Sequence, residues 1–230
     1  MKLTVDFLKE HDFNENDIQI FNILYPNGAE SLNVLHKDLA DLIDSVGEEK
    51  DLREEYLSFA KSLVKVLPIE NPPLIVDKTS NKNLIWLGDV HIKGCFSTDK
   101  IIFVKGELKI DGRLNVYGRG QIYTCEKDLI SHVISLGDQA NIRTDTKVRT
   151  NGITMHEEAS IDSDINVKSS IHISNGKITG NIVSKTILMV HGHLFGNISA
   201  DSLGNYKGRL DGKINVKKIF PLPSDTKFMR

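Results

Sequence analysis

A mainly β fold, a β-solenoid (β-helix) of about eight coils behind a small α-helical amino-terminal domain, is what this 230-residue sequence predicts. Three observations predict it. Apolar residues recur at three-and-four spacing up to Leu67 and at a spacing of two beyond Leu84. Proline is absent from Leu84 to Phe220, while Gly, Asn and Asp punctuate that stretch every few residues, which is how short strands and tight corners are written. Within the same stretch a short phrase returns at a fixed interval.

The helical reading rests on sets such as Leu52, Tyr56, Phe59, Leu63 and Val66, and Leu35, Leu39, Leu42, Ile43 and Val46, each lying along one face of a helix. Thr4 is expected to cap a helix carrying Phe7 and Leu8. Asn16 or Asp17 is expected to cap a second with Ile18, Phe21 and Leu24, and Ser31 a third, because short polar side chains satisfy the free N–H groups of a first turn. Pro26-Asn27-Gly28 reads as the turn between the second and third, and Pro68, Pro72 and Pro73 end the fourth. The organisation predicted is a helical domain over residues 1–70, a Pro-containing linker over 71–83, the solenoid over 84–219 and a tail over 220–230.

The period-two segments include Val90-x-Ile92, Leu108-x-Ile110, Ile165-x-Val167 and Ile171-x-Ile173. The returning phrase is Thr179-Gly180-Asn181-Ile182, Phe195-Gly196-Asn197-Ile198 and Asp211-Gly212-Lys213-Ile214, preceded by Ile178, Leu194 and Leu210. Glycines at 180, 196 and 212 are spaced by 16, an interval too short for helical repeats and suited to one coil of three strands and three corners. No coil can bury its inward Ile, Leu or Val residues alone, whereas stacked coils share one dry column. Eight coils at a rise of ~4.8 Å give a rod on the order of 40 Å long. Gly180, Gly196 and Gly212 are read as corner residues and Ile182, Ile198 and Ile214 as the column they align. The handedness of the coil is open, and residues 121–150, which fit the period poorly, predict an irregular coil or an inserted loop.

Net charge is −2, but residues 1–70 carry 7 Lys+Arg against 15 Asp+Glu, and the remainder 22 against 16. An acidic domain is thus joined to a basic one. No run approaches the ~20 apolar residues of a membrane-spanning helix, and Asp6 sits where a signal peptide is apolar, so a cytoplasmic location is expected. Cys95 and Cys125 lack the paired spacing of a zinc site or a disulfide framework.

At the three aligned phrases the sequence resembles the bactofilins, bacterial cytoskeletal proteins with a β-helical core that repeats apolar-x-Gly-x-Ile. The likeness covers residues 171–216 closely and 84–170 loosely. It implies polymerisation without nucleotide by joining solenoid ends and, as in some members, peripheral membrane contact through a short amino-terminal segment. The chain departs from that family in carrying a whole helical domain where a short disordered tail is usual, a domain placed to cover one end.

The main enzymatic alternative is a solenoid acyltransferase of the hexapeptide type, which uses a histidine as general base. Its weak candidates here are His191 and His193, with His172 one coil earlier, but strict hexads require turns of 18 residues and no acceptor-binding loop is recognisable. His191 and His193, two apart, are also the only candidate metal pair, and nothing places a third ligand. Asp162 and Asp164 are the carboxylates a glycan-cleaving or carbohydrate-binding solenoid would use. Lys213, Lys217, Lys218, Lys227 and Arg230 give the end of the chain positive charge, modest support for a nucleic-acid partner, but without the interleaved aromatics of a stacking platform there is no strong nucleic-acid signal. The expectation is therefore a non-enzymatic scaffold without cofactor or metal. It self-associates as a homo-oligomer through its solenoid and recruits an unknown protein partner through its helical domain.

Overall fold

A computed structural model describes residues 1–46, 49–76, 82–205 and 207–221. The tail residues 222–230, with Lys227 and Arg230, lie outside the described residues, as do residues 77–81 and the side chain of Leu35. From Leu74 onward the chain winds as a three-walled β-solenoid of about eight turns, with parallel pairing between successive coils.

Each wall is a ladder of apolar side chains in strict register. On the first wall Leu74, Val90, Leu108, Leu129, Val148, Ile165, Ile182, Ile198 and Ile214 are successive partners. On the second wall the ladder runs from Phe96 through Leu114, Ile134, Ile153, Ile171, Ile187 and Leu203 to Ile219. The third runs from Leu84 through Ile102, Ile122, Ile142, Ile161, Ile178 and Leu194 to Leu210. Between the end coils these residues form one core, each burying apolar area worth about 1.5–3 kcal/mol.

One boundary needs correction, and of the two alternatives for residues 121–150 the structure has the irregular coil. Leu74–Val76 pairs with Val90–Ile92, so the segment 71–83 contributes the first strand of the solenoid and not only a connection to it. Residues 121–150 hold no inserted loop: Gln121, Ile122, Tyr123 and Thr124 pair in register with Ile101–Val104 below and with Asn141, Ile142, Arg143 and Thr144 above. The extra residues of these coils are taken up in longer corners around Gly118, Glu126 and Asp138. A corner can lengthen without disturbing the column because only the strands enter the ladder.

Buried hydroxyls close the corner between the first and second walls. The Ser131 hydroxyl donates to Gly112 O and, within its own coil, to Val133 O, at 3.0 and 3.1 Å. Thr150 does the same to His132 O and Gly152 O, and Ser184 to Ser169 O and Thr186 O. Each hydroxyl has one proton, shared between the two carbonyls, and so bridges the corner to the coil before it.

The helical domain comprises α1 (Val5–Glu10), α2 (Glu15–Leu24), α3 (Ser31–Asn33) running through a π-helical stretch (Val34–Leu39) into α4 (Ala40–Ser45), and α5 (Lys50–Val66). Thr4 caps α1 by accepting from Phe7 N at 3.2 Å. The cap of α2 is Asn14 and not Asn16 or Asp17: its Oδ1 accepts from Asp17 N at 2.8 Å while its amide donates to the Asp17 carboxylate. Asp17 is thus the third residue of a reciprocal capping pair, and burial raises its pKa. Ser31 does not cap α3, because its hydroxyl donates to Glu70 Oε2 at 2.6 Å and ties the domain to the chain entering the solenoid.

The helices do not form a self-contained core. Leu57, Phe59, Leu63 and Leu67 join Phe21, Val34 and Ile43 in a cluster completed by Ile85, Leu87, Ile101, Phe103 and Tyr123 of the solenoid. These solenoid residues come from the outward face of the third wall in the first coils. Ile101–Val104 is buried at all four positions, since Ile102 and Val104 face the solenoid column and Ile101 and Phe103 face the helices.

Candidate functional site

Gly180, Gly196 and Gly212 have φ of +135, +127 and +133. They stack so closely that a Cβ on Gly196 would lie 2.2 Å from Gly180 O, and one on Gly212 2.1 Å from Gly196 O. The corner is held by Gly180 N donating to Phe195 O and Gly196 N to Asp211 O, both at 2.8 Å. Beside it Asp164 Oδ1 accepts from Asn181 N and Nδ2 at 2.8 and 3.0 Å, and Asn197 Nδ2 donates to Asn181 Oδ1 at 2.8 Å. Asp164 is therefore engaged in the corner, while Asp162 lies 3.8 Å from Arg143 on the third wall.

Of the three histidines weighed for catalysis, His172 and His193 lie on different walls. His172 follows Ile171 outward on the second wall, where burial lowers its pKa. His193 lies on the third wall, its Nε2 2.6 Å from Asp211 Oδ2, with its ring stacked on Phe195 at 3.5 Å. Asp211 also pairs with Arg209 Nε at 2.9 Å, and the His193 contact holds the Asp211 carboxyl below its usual range. His191 sits before the strand His193–Phe195, in a turn where Gly192 has φ +120, so alternation does not place it beside His193. Among the described residues no group of three or more His, Cys, Asp or Glu is arranged to hold a metal.

What the sequence reading missed is the seam between α5 and the third wall. Lys105 is 3 % exposed, and its Nζ donates to Val64 O at 3.2 Å and Lys65 O at 2.8 Å while lying 3.1 Å from Glu126 Oε1. A cation thus meets the carboxy-terminal carbonyls of α5, where the helix dipole is negative. Nearby, the Tyr123 hydroxyl donates to Asp145 Oδ2 at 2.8 Å, and burial followed by that bond raises its pKa strongly. Asp145 also lies 3.8 Å from Lys65 of α5.

The seam buries Cys125 and leaves Cys95 exposed. Burial pushes the Cys125 thiol up to about 11, so on the order of one molecule in a thousand carries its thiolate at pH 8. In the native protein iodoacetamide is expected to alkylate Cys95 fully before Cys125 reacts, with both reacting after denaturation. Mass spectrometry of timed samples checks this, and equal native rates would show that the seam opens readily.

The two ends of the solenoid differ. At the first coil Glu70 N and Asn71 N donate to Leu87 O, Asn71 Oδ1 accepts from Leu87 N, and Asn83 Nδ2 donates to Ala40 O of α4. At the last coil, among the described residues, Ile214 is 42 % and Ile219 67 % exposed, although their partners Ile198 and Leu203 are 1 % exposed. Among the described residues no strand pairs beyond Arg209–Asp211 or Ile214–Pro221. No helix among the described residues is long and apolar enough to cross a membrane. Comparisons with protein families, with curated proteins and with solved structures return no match for this chain.

Proposed function

We propose that this protein is a non-enzymatic cytoplasmic scaffold that self-associates through its solenoid, with the open last coil as the adhesive surface. The observation that carries this reading is the exposure, among the described residues, of Ile214 and Ile219 at the end of a column whose middle coils are dry. Among the described residues no strand pairs beyond the last coil, which so offers a further copy an apolar floor and backbone groups to pair with. Charge favours a head-to-tail joint. The last coil carries Arg209, Lys213, Lys217 and Lys218 against Asp211, whereas the helical domain packed on the first coils belongs to a segment with 15 acidic and 7 basic residues. Such a heterologous contact does not close on itself and extends into rods. The bactofilin-like phrase points the same way, and the outer face of the helical domain, with Ile23 79 % exposed, is the surface offered to a protein partner.

Light scattering coupled to size-exclusion chromatography tests the reading. The wild-type chain is expected to elute as oligomers whose mass grows with concentration and falls with salt, because exposed charges are screened within about 8 Å at physiological ionic strength. Ile214→Lys with Ile219→Lys is expected to give a monomer with an unchanged circular dichroism spectrum. A wild-type protein that stays monomeric at millimolar concentration would sink the proposal.

A further inference from the structure

The second wall differs from the other two in what it shows to solvent. Its central outward ladder runs through Ser135, Thr154, His172, Leu188 and Gly204 as successive partners, and the ladder beside it, from Val133 to Ser202, also holds no charged residue. The first wall carries Lys109 and Arg149 in its outward ladder, and the third Arg143, Asp162 and Lys177. In a chain of which 26% is charged, five consecutive coils without Asp, Glu, Lys or Arg on one face make the kind of patch found at the centre of protein interfaces, where charge is depleted. The cluster that holds the helices includes no residue of this wall.

The two edges of the patch are charged, and oppositely. Over the coils from Leu129 to Met189, the corner between the first and second walls exposes Lys168 and Lys185 and holds no acid. Over the same coils the corner between the second and third walls exposes Asp138, Glu157 and Glu158 and holds no Lys or Arg. The contrary charges of each rim, Asp111 and Asp201 on the first and Lys100, Arg119 and Lys207 on the second, stand outside these coils.

This pattern fits a second copy of the chain and selects its orientation. A two-fold axis parallel to the rod lays wall on wall and sets the cationic rim of each copy against the acidic rim of the other, with Lys168 about one coil rise, ~4.8 Å, from the level of Glu157 and Glu158. A two-fold axis across the rod would set each rim against itself, cation on cation and acid on acid, which repels. We infer that copies of this chain lie side by side in parallel, second wall to second wall, about an axis along the rod. Five coils and about four residues of strand give a face on the order of 300 Å² per copy, against about 800 Å² per partner in a stable pair. One pair of chains therefore holds weakly and parts on dilution, while copies already joined end to end pair through many such faces at once. The lateral contact uses a wall and the end-to-end contact uses the last coil, so the two are separable.

Cross-linking in solution tests the inference without rods. The background is a Cys95→Ala chain that also carries Ile214→Lys and Ile219→Lys, in which Cys125 stays buried. At millimolar concentration a short bismaleimide is expected to give about fivefold or more dimer from Ser170→Cys, on the second wall, than from Val183→Cys, outward on the first. Lys168→Glu with Lys185→Glu is expected to bring the Ser170→Cys yield down to that of Val183→Cys. Adding Glu157→Lys with Glu158→Lys is expected to restore it, a rescue that depends on the rims facing each other. Circular dichroism confirms that each variant is folded, and Thr186→Cys replaces Ser170→Cys should the latter not be. Electron microscopy of the wild-type chain is expected to show paired rods, and Thr154→Lys with Leu188→Lys, which place charge inside the patch, single ones. The inference is overturned by equal yields from the two cysteines, by a charge swap that restores nothing, or by wild-type rods of single width. Single rods would leave the end-to-end reading standing, whereas a second-wall cross-link from a chain whose wild type forms no rods would sustain the lateral contact and remove the end-to-end one.

Discussion

Gly196→Ala is expected to lower the thermal midpoint by about 10 °C, a large effect for a single added methyl group. Two costs combine at that position. Its φ of +127 lies where residues with a Cβ are strained by about 1–3 kcal/mol. The new Cβ would also stand 2.2 Å from Gly180 O, a backbone atom with no flexible end to move aside. Relief requires the two coils to part at a corner held by the Gly180 N to Phe195 O bond, so the sum reaches about 3–5 kcal/mol. Gly137→Ala is the control, because a Cβ there meets nothing within 4 Å and the backbone is not in the positive-φ region. That variant is expected to melt within a degree or two of wild type. Thermal unfolding followed by far-ultraviolet circular dichroism checks both. Equal midpoints for the two variants would mean that the glycines do not set the spacing of the coils.

This expectation follows a feature that was legible in the chain before its structure. Gly180, Gly196 and Gly212 announce their stacking because a backbone-to-backbone approach tolerates no other residue, and the requirement repeats once per coil. The isoleucines two residues on are legible for a related reason: alternation in a strand is local, so sequence order and burial agree. Where corners lengthen, around Gly118, Glu126 and Asp138, the period blurs although the ladder continues. A spacing argument therefore could not choose between an irregular coil and an insertion, and the structure has the irregular coil.

The docking of the helices was harder to read, since it depends on which outward face is covered. One signal was present. Ile101-Ile102-Phe103-Val104 breaks the alternation that a strand with one wet face would show, and such a run marks burial on both sides. Lys105 gives no comparable signal, because a lysine next to an apolar run reads as its solvated end. The recess at the seam was illegible for another reason: Arg53 lies on α5 and Arg119 and Gln139 on two corners of the solenoid, and only the docking of α5 brings them together. The histidines show the same limit of spacing. His172 and His193 are close in coil count but lie on different walls, so proximity along the rod did not become proximity in space.

Lys105→Ala is expected to destabilise the protein by about 2–4 kcal/mol and to loosen α5 specifically. The ion pair with Glu126 contributes little of this, because Glu126 is 47 % exposed and water screens the pair. The larger part is the loss of a charged donor to Val64 O and Lys65 O; hydrogen bonds from charged groups contribute about 1.5–3 kcal/mol. Comparing Lys105→Met separates packing from charge, since methionine keeps the apolar stem within the seam but offers no proton to the carbonyls. It is expected to recover at most half of the loss, while Glu126→Gln costs under about 0.5 kcal/mol. Hydrogen–deuterium exchange gives the decisive comparison. In Lys105→Ala the amides of α5 are expected to exchange faster, while those of Ile182–Met189 and Ile198–Asn205, several coils away, keep their protection. Uniform loss of protection along the chain would mean that Lys105 stabilises the solenoid as a whole. If Lys105→Met proved as stable as wild type, the buried charge would have no part in holding the helices to the wall.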